Sequence, residues 1–405
     1  MTLASALAAF FAGVLTAFTV TVGGEMPLGE LILIGIFAWI VLGTAVTGSV
    51  PPEVPRTRLF RVLLLCQAVA FAAYIFSDIY RHSTVHDMSR GWARMVFLAI
   101  DIVSVAYLFG CSRLNLLMLL LGQYLGDALH AVTLGALYGD MWKFGIGTPF
   151  TFLAFFAASL LGRPAVVAAA FAMSAVHFAM DFRSMCGICF VVGTATLITL
   201  FPRHLRAWLI LPTMVIIACG LGAYAYGRSH GNSHRATRSD ISRTSMIIAA
   251  SEAFLDSPVI GQGSWLSRSN VFENFAVIRA NAAKAAHVGG FPEANEAPGT
   301  VAIHSQILVA LAEGGILGGS FFIAFGIALA AAVYRLVFIL RSNRFTGIYL
   351  LILLCALGNL LISPFSGAHR IYIAIACGLV IVLQREPAGL RAAQGSVPLC
   401  IRYGP

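Results

Sequence analysis

His304 and Ser305 head an apolar run, HSQILVALAEGGILG, that ends on Gly315 and Gly318. Histidine titrates near neutral pH, so beside a hydroxyl or a phosphate it can accept a proton or make a hydrogen bond. Helical spacing predicts His304, Leu308, Leu311 and Gly315 along one face. Gly314/Gly318 and Gly315/Gly319 each repeat at four residues, which lets a neighbouring helix come close. Two readings stand side by side: a reactive histidine, or an interfacial histidine on a helix that only packs. Positive charge supplies the other candidate chemistry. Arg228, Arg235, Arg238 and Arg243 face only Asp240 at the start of a long polar stretch, and Arg268, Arg279 and Lys284 follow. Such charges form either a solvated face or an anion site. Arg243 falls at the expected start of an amphipathic helix marked by Met246, Ile247, Ala250, Phe254 and Leu255 and ended by Pro258. A guanidinium there adds its fork to free backbone N–H groups, a combination suited to phosphate. Arg183 begins another apolar run, where it either snorkels to headgroups or binds an anion with Asp181 orienting it.

The elements that must position these residues are read from composition. The 405 residues are 59% hydrophobic and 11% charged, with a mean hydropathy of +0.87, which excludes an ordinary soluble protein. The expected fold class is an all-α polytopic membrane protein. At about 20 residues per span, twelve transmembrane helices are expected, near 3–22, 28–47, 60–78, 94–111, 114–134, 147–162, 164–180, 185–201, 207–226, 306–334, 345–363 and 368–384. The first run lacks a basic leader and is read as a span. Short arginine-bearing connections at Arg56, Arg113, Arg163, Arg203 and Arg335 fall on one side if both termini are cytoplasmic. Residues 227–303 then lie outside.

Four regions result: an N-terminal bundle of about nine helices at 1–226, an external loop with amphipathic helices at 227–303, C-terminal helices at 304–384, and a cytoplasmic tail at 385–405. Within the loop, PVIGQGSW reads as a glycine-broken turn and GGFPEANEAPG as a lid. Cys186 and Cys189 read as packing residues, with no metal and no disulfide assigned. Asp101, Asp127, His130 and His177 lie inside apolar runs, where they line a functional cavity or pair with one another. His369 and Arg370 either line the mouth of the site or anchor at the interface. Glu313, nine residues past His304, lies about 13 Å further along a helix, too far to be its direct partner.

His304, Ser305, nine residues, Gly315, two residues and Gly318 resemble the signature of the O-antigen ligase family: His, then Asn, Ser or Gln, nine residues, Gly, two residues, Gly. These are integral membrane glycosyltransferases of the GT-C type that use polyprenyl-diphosphate-linked sugar donors. Arg243 followed by a helix and the Pro258-x-x-Gly261-x-Gly263 turn is similar to the family's arginine, helix and Pro/Gly turn. Arg183 takes the place of the family's arginine at an outer helix start, with Asp181 and Phe182 replacing its small hydroxylated neighbour.

The resemblance implies a ligase that moves a glycan from undecaprenyl diphosphate to a lipid A core hydroxyl, with inversion. Its site would face the periplasm from a bacterial inner (plasma) membrane. It implies His304, Arg243 and Arg183 as catalytic residues, and Ser305, Gly315 and Gly318 as motif and packing residues. Arg279, Arg268, Lys284 and Arg238 are weaker candidates for the donor diphosphate. No cofactor is implied, because the activated bond comes with the lipid. The outer loop has no Asp-x-Asp pair, and metal independence is expected. Partners are the lipid-linked donor, the lipid A core or glycan acceptor and the bilayer, with no nucleic acid. An O-antigen or exopolysaccharide polymerase and a protein O-glycosyltransferase share the signature. A transporter or flippase of lipid-linked sugars, and a non-catalytic assembly subunit, are readings of a different class.

Overall fold

The chain was analysed as a computed structural model that describes residues 3–21, 25–112, 114–134, 142–202, 204–206, 208, 234–266, 271–285, 303–340 and 344–385. Helix α1 (Leu3–Thr16) leads into an antiparallel hairpin, β1 (Thr19–Thr21) and β2 (Glu25–Pro27), with Val20 opposite Met26. The expected first span therefore ends in a strand. Then come α2 (Gly29–Thr47), α3 (Arg58–Arg81), α4 (Val85–Cys111), α5 (Leu114–Leu134), α6 (Gly147–Leu161), α7 (Arg163–Ala179) and α8 (Arg183–Ile198). The stretch expected to form the external loop contains α9 (His234–Asp256) and α10 (Val271–Ala285). The chain continues through α11 (Gln306–Gly318), α12 (Ser320–Tyr334), α13 (Thr346–Ile362) and α14 (Gly367–Arg385). The expected span at 207–226, the lid and the tail fall almost wholly outside the described residues.

Among the described residues, five helices are long and apolar enough to cross a membrane, and further apolar helices of 10–17 residues accompany them. Side-chain caps fix several starts. The Thr57 hydroxyl accepts from the Phe60 N–H at 3.2 Å to open α3. The Thr84 hydroxyl accepts from the Asp87 N–H at 3.2 Å and donates to the Asp87 carboxylate at 2.8 Å to open α4. α1 packs along α5, α7 along α8, and α14 along α4, which sits near the centre of the main core.

Two sequence expectations are corrected. The run 306–334 is two helices: Gly315 takes φ 65°, ψ −164°, which ends the regular helix within α11. Both halves are equally apolar, so hydropathy could not show the break. Arg243 lies within α9, whose start is nine residues earlier at His234, because no glycine or proline interrupts HRATRSDISR. The guanidinium therefore does not stand at a helix N-terminus.

The break in α11 is where the 258–263 turn enters the bundle. Carbonyls that a continuous helix would use internally are open there, and the 258–263 turn supplies their partners. The Gln262 N–H donates to the Ala312 carbonyl at 2.8 Å and the Gly263 N–H to the Glu313 carbonyl at 3.0 Å. In return the Ile316 N–H donates to the Pro258 carbonyl at 2.8 Å. The approach is close enough that a Cβ on Gly315 would strike the Val259 carbonyl, and one on Gly261 (φ 84°) the Glu313 carbonyl. Gly314 and Gly318 face the Tyr74 ring of α3, with positions for a Cβ 3.1 and 3.5 Å from it, so the close helix packing expected of these glycines is realised there.

The Glu313 side chain carries the same junction. It is 3% exposed and accepts from the Tyr74 hydroxyl at 2.8 Å, from the Trp265 backbone N–H at 2.8 Å and from the Arg94 guanidinium. One helix further out, Asp78 accepts from the Trp92 indole at 2.8 Å and from both the backbone and hydroxyl of Ser264, at 2.6 and 2.7 Å. Ser77 donates to the Glu313 carbonyl and accepts from Gly263, while Arg81 donates to the Gly261 carbonyl and the Ser257 hydroxyl. Trp265 and Leu266 hold left-handed backbone (φ 62° and 54°), which non-glycine residues keep only where surrounding contacts over-determine it. Arg90 stacks on the Trp265 ring at 3.9 Å.

Two stability predictions follow from this junction. Gly315→Ala should lower the unfolding temperature of the purified protein, since backbone strain alone costs about 1–3 kcal/mol. Gly35→Ala on α2, where an added Cβ meets nothing within 4 Å, should leave it unchanged. Arg94→Met or Glu313→Gln alone leaves one buried group unbalanced and should cost about 3–5 kcal/mol. The double variant should recover much of that loss in a thermal double-mutant cycle. Additive losses would mean that the two groups are not coupled.

Candidate active site

His304 does not belong to the helix it precedes. Ser305 is the N-cap of α11, in extended backbone (φ −163°, ψ 119°), and its hydroxyl accepts from the Leu308 N–H at 3.3 Å. The expected single face running from His304 through Leu308 and Leu311 to Gly315 is thus interrupted at both ends, by the cap and by the break. The imidazole belongs to the bend residue ahead of the cap and is half-buried.

α9 and α10 wall the site. Met246, Ala249, Ala250 and Ala253 of α9 pack with Phe275 of α10 and with Ile303, Val309 and Ala312 beside and within α11, forming a second apolar core distinct from that of the bundle. This packing follows from the amphipathic spacing of α9, and it carries Arg243 to His304. Burial first, and the Arg243 charge second, hold the His304 pKa below its ordinary 6.5. The ring is neutral at pH 7, with a nitrogen lone pair free to accept. The Arg243 side chain is exposed, and among the described residues no hydrogen bond or ion pair engages it. His369, at the start of α14, is within electrostatic range of His304, and its Nδ1 pairs with the Ser366 hydroxyl at 2.6 Å. The sequence offers His369 either as a residue of the mouth or, more simply, as an interface anchor; the structure places it within electrostatic range of His304.

The other candidates are placed differently. Arg183 is the first residue of α8, and its Nε donates to Asp181 at 2.6 Å; the pair is solvent-exposed, at 44% and 63%. Asp181 accepts from Arg183, while the charge acting on His304 is that of Arg243. Arg279 on α10 lies over the Phe275 ring at 5.0 Å, and Lys284 is exposed in the last turn of the same helix. Arg238 falls in the first turns of α9, and Arg268 lies outside the described residues. Gly315 and Gly318 serve the α11 junction. Glu313 answers to Arg94, Tyr74 and Trp265, in keeping with its expected distance from His304.

Of the polar residues inside apolar runs, His177 is satisfied. Its Nδ1 accepts from the Trp142 indole at 3.1 Å, and its Nε2 is 2.7 Å from the Thr151 hydroxyl, which donates to the Gly147 carbonyl. His130 makes an edge contact with Phe18. Sequence reasoning missed Arg94, Asp78 and Trp265. The signal for Arg94 was available, because it and Glu313 are opposite charges at or within apolar segments, where each demands a partner.

With this geometry in hand, comparison with known proteins gives one finding of weight. Residues 168–323 match the family model described as O-antigen ligase. No curated protein matches the chain. The matched stretch contains Arg183, Arg243, Arg279 and the entire His304–Gly318 motif, and it supports a ligase- or polymerase-type function in a membrane setting. This match over residues 168–323, which carry Arg243 and the His304–Gly318 motif, supports the O-antigen ligase superfamily.

Proposed function

We propose that this chain is a membrane glycosyltransferase that moves a glycan from undecaprenyl diphosphate to a lipid A core hydroxyl, on the periplasmic face of a bacterial inner membrane. The observation that carries this reading is the meeting of His304 with Arg243. A half-buried imidazole kept neutral first by burial and then by the charge of Arg243 is a base beside a fixed positive charge, the pair that attack on a diphosphate-activated sugar requires.

In the proposed step the acceptor oxygen attacks the anomeric carbon from the face opposite the diphosphate, and a new C–O bond forms. The bond from that carbon to the phosphate oxygen breaks, its electron pair leaves on the diphosphate, and the configuration inverts. His304 takes the acceptor's proton. Arg243 balances the charge that gathers on the leaving group. Arg183, with its fork held by Asp181, supplies a second contact to the diphosphate. Arg279, Lys284, Arg238 and Arg268 are further candidates for donor binding. No metal or nucleotide takes part in this scheme.

The test is glycan transfer from undecaprenyl diphosphate to a lipid A core acceptor, at matched membrane levels. Wild type should form product, while His304→Ala and Arg243→Ala should lose activity by about 100-fold or more, the scale of a lost base or oxyanion donor. Normal transfer by both variants would remove them from the chemistry. Polymer growth without lipid A would make the protein a polymerase, glycan on a Ser or Thr side chain a protein O-glycosyltransferase, and movement of donor with no bond changed a carrier. A pH series adds a sign. Because the His304 pKa lies below 6.5 in part through Arg243, the acid limb of the rate should move to higher pH in Arg243→Gln, measured on its residual activity. A limb that stays in place would detach Arg243 from His304.

A further inference from the structure

Glu30, Asp101 and Arg370 form a buried charge cluster at the meeting of α2, α4 and α14, and the reaction above does not use it. Arg370 grips Glu30 with two parallel bonds, Nε to Oε1 at 2.8 Å and Nη2 to Oε2 at 2.7 Å. Glu30 and Asp101 are 0% exposed and Arg370 is 5% exposed, so water does not neutralise the cluster. The back of the guanidinium faces the Phe97 ring at 5.7 Å. Among the described residues neither Asp101 oxygen receives a hydrogen bond from an N–H or O–H donor. What lies within hydrogen-bonding reach of Asp101 is the Glu30 carboxyl, and the charges acting on each are those of the other and of Arg370. Two acceptor-only carboxylates cannot bond to each other. Two negative charges against one positive, out of water, leave an unpaired charge whose burial costs several kcal/mol.

We infer that this cluster is a proton-binding site: one proton bridges Asp101 and Glu30, which leaves a single negative charge to balance Arg370. The proton satisfies the Asp101 oxygens and reduces the charge count to zero. It also lets one bidentate grip fasten three helices. The consequence reaches the candidate active site, because Arg370 follows His369 at the start of α14. The bridged pair fixes the end of α14 that presents His369 toward His304. The inference does not depend on the transfer reaction.

The test uses infrared spectroscopy of the full-length protein in detergent at neutral pH, with aspartate or glutamate isotopically labelled in the wild type so that no substitution is needed. A protonated, hydrogen-bonded carboxyl stretch should appear, shift in D2O and move with the label. It should be lost from both Asp101→Asn and Glu30→Gln. Either single change keeps one carboxylate opposite Arg370 and should lower the unfolding temperature little. The double change strands Arg370 and should lower it by more than the sum of the two. If the wild type shows no such band, or if the double variant is no worse than additive, the inference fails. A wild type stabilised by added sodium or potassium, with Asp101→Asn indifferent to both, would also overturn it, since a metal cation would then fill the proton's place.

Discussion

A carboxylate cannot sit inside an apolar helix without something to answer its charge, and the architecture of this protein turns on how Glu313 is answered. Its partners come from three separate parts of the chain: Tyr74 on α3, Arg94 on α4 and the backbone of Trp265 in the turn that follows α9. The turn partner is the consequential one. A peptide N–H offered to a buried anion is a strong bond in a dry setting, and it ties this turn to the bundle. Once that turn is seated, α9 has one apolar face to bury, on α10 and α11, and Arg243 arrives beside His304.

Seen this way, the spacing of the His304–Gly318 motif has a mechanical meaning. Ser305 caps the helix and Gly315 breaks it, so the nine residues between them are the length of regular helix that separates the histidine from the docked turn. Gly318 gives Tyr74 room to approach and reach Glu313. Ser305, Gly315 and Gly318 are therefore architecture. Among the described residues His304 is the member with no structural partner of that kind, and it is the one placed next to Arg243, which no hydrogen bond or ion pair engages there. The division fits a site in which chemistry is carried by few side chains and the rest of the motif holds them still.

Hydropathy made most helices legible, because a span of apolar residues bounded by Gly, Pro or Arg has few other ways to satisfy its backbone in lipid. The amphipathic period of α9 was legible for the same reason that it forms: one face is buried. Three features were not. The break at Gly315 hides inside an unbroken apolar run, and glycines at four-residue spacing read equally well as a helix-packing face. The start of α9 was misplaced because its first turns are polar and lack a breaker, which periodicity cannot distinguish from coil. The Arg94–Glu313 pair spans 219 residues of sequence, a contact that no local pattern encodes. Pairing by charge count would have found it: a lone acid in an apolar helix implies a lone base in another.

The most direct test of the seated loop is amide hydrogen exchange, resolved over residues 257–266, in the full-length protein without substrate. The amides of Gln262, Gly263 and Trp265 should exchange as slowly as the adjoining turns of α3. In Glu313→Ala they should exchange at loop-like rates while the other helices keep their protection. Fast exchange of this turn in the wild type would contradict the account, because a loop that is not seated on α11 has no means of holding Arg243 at His304.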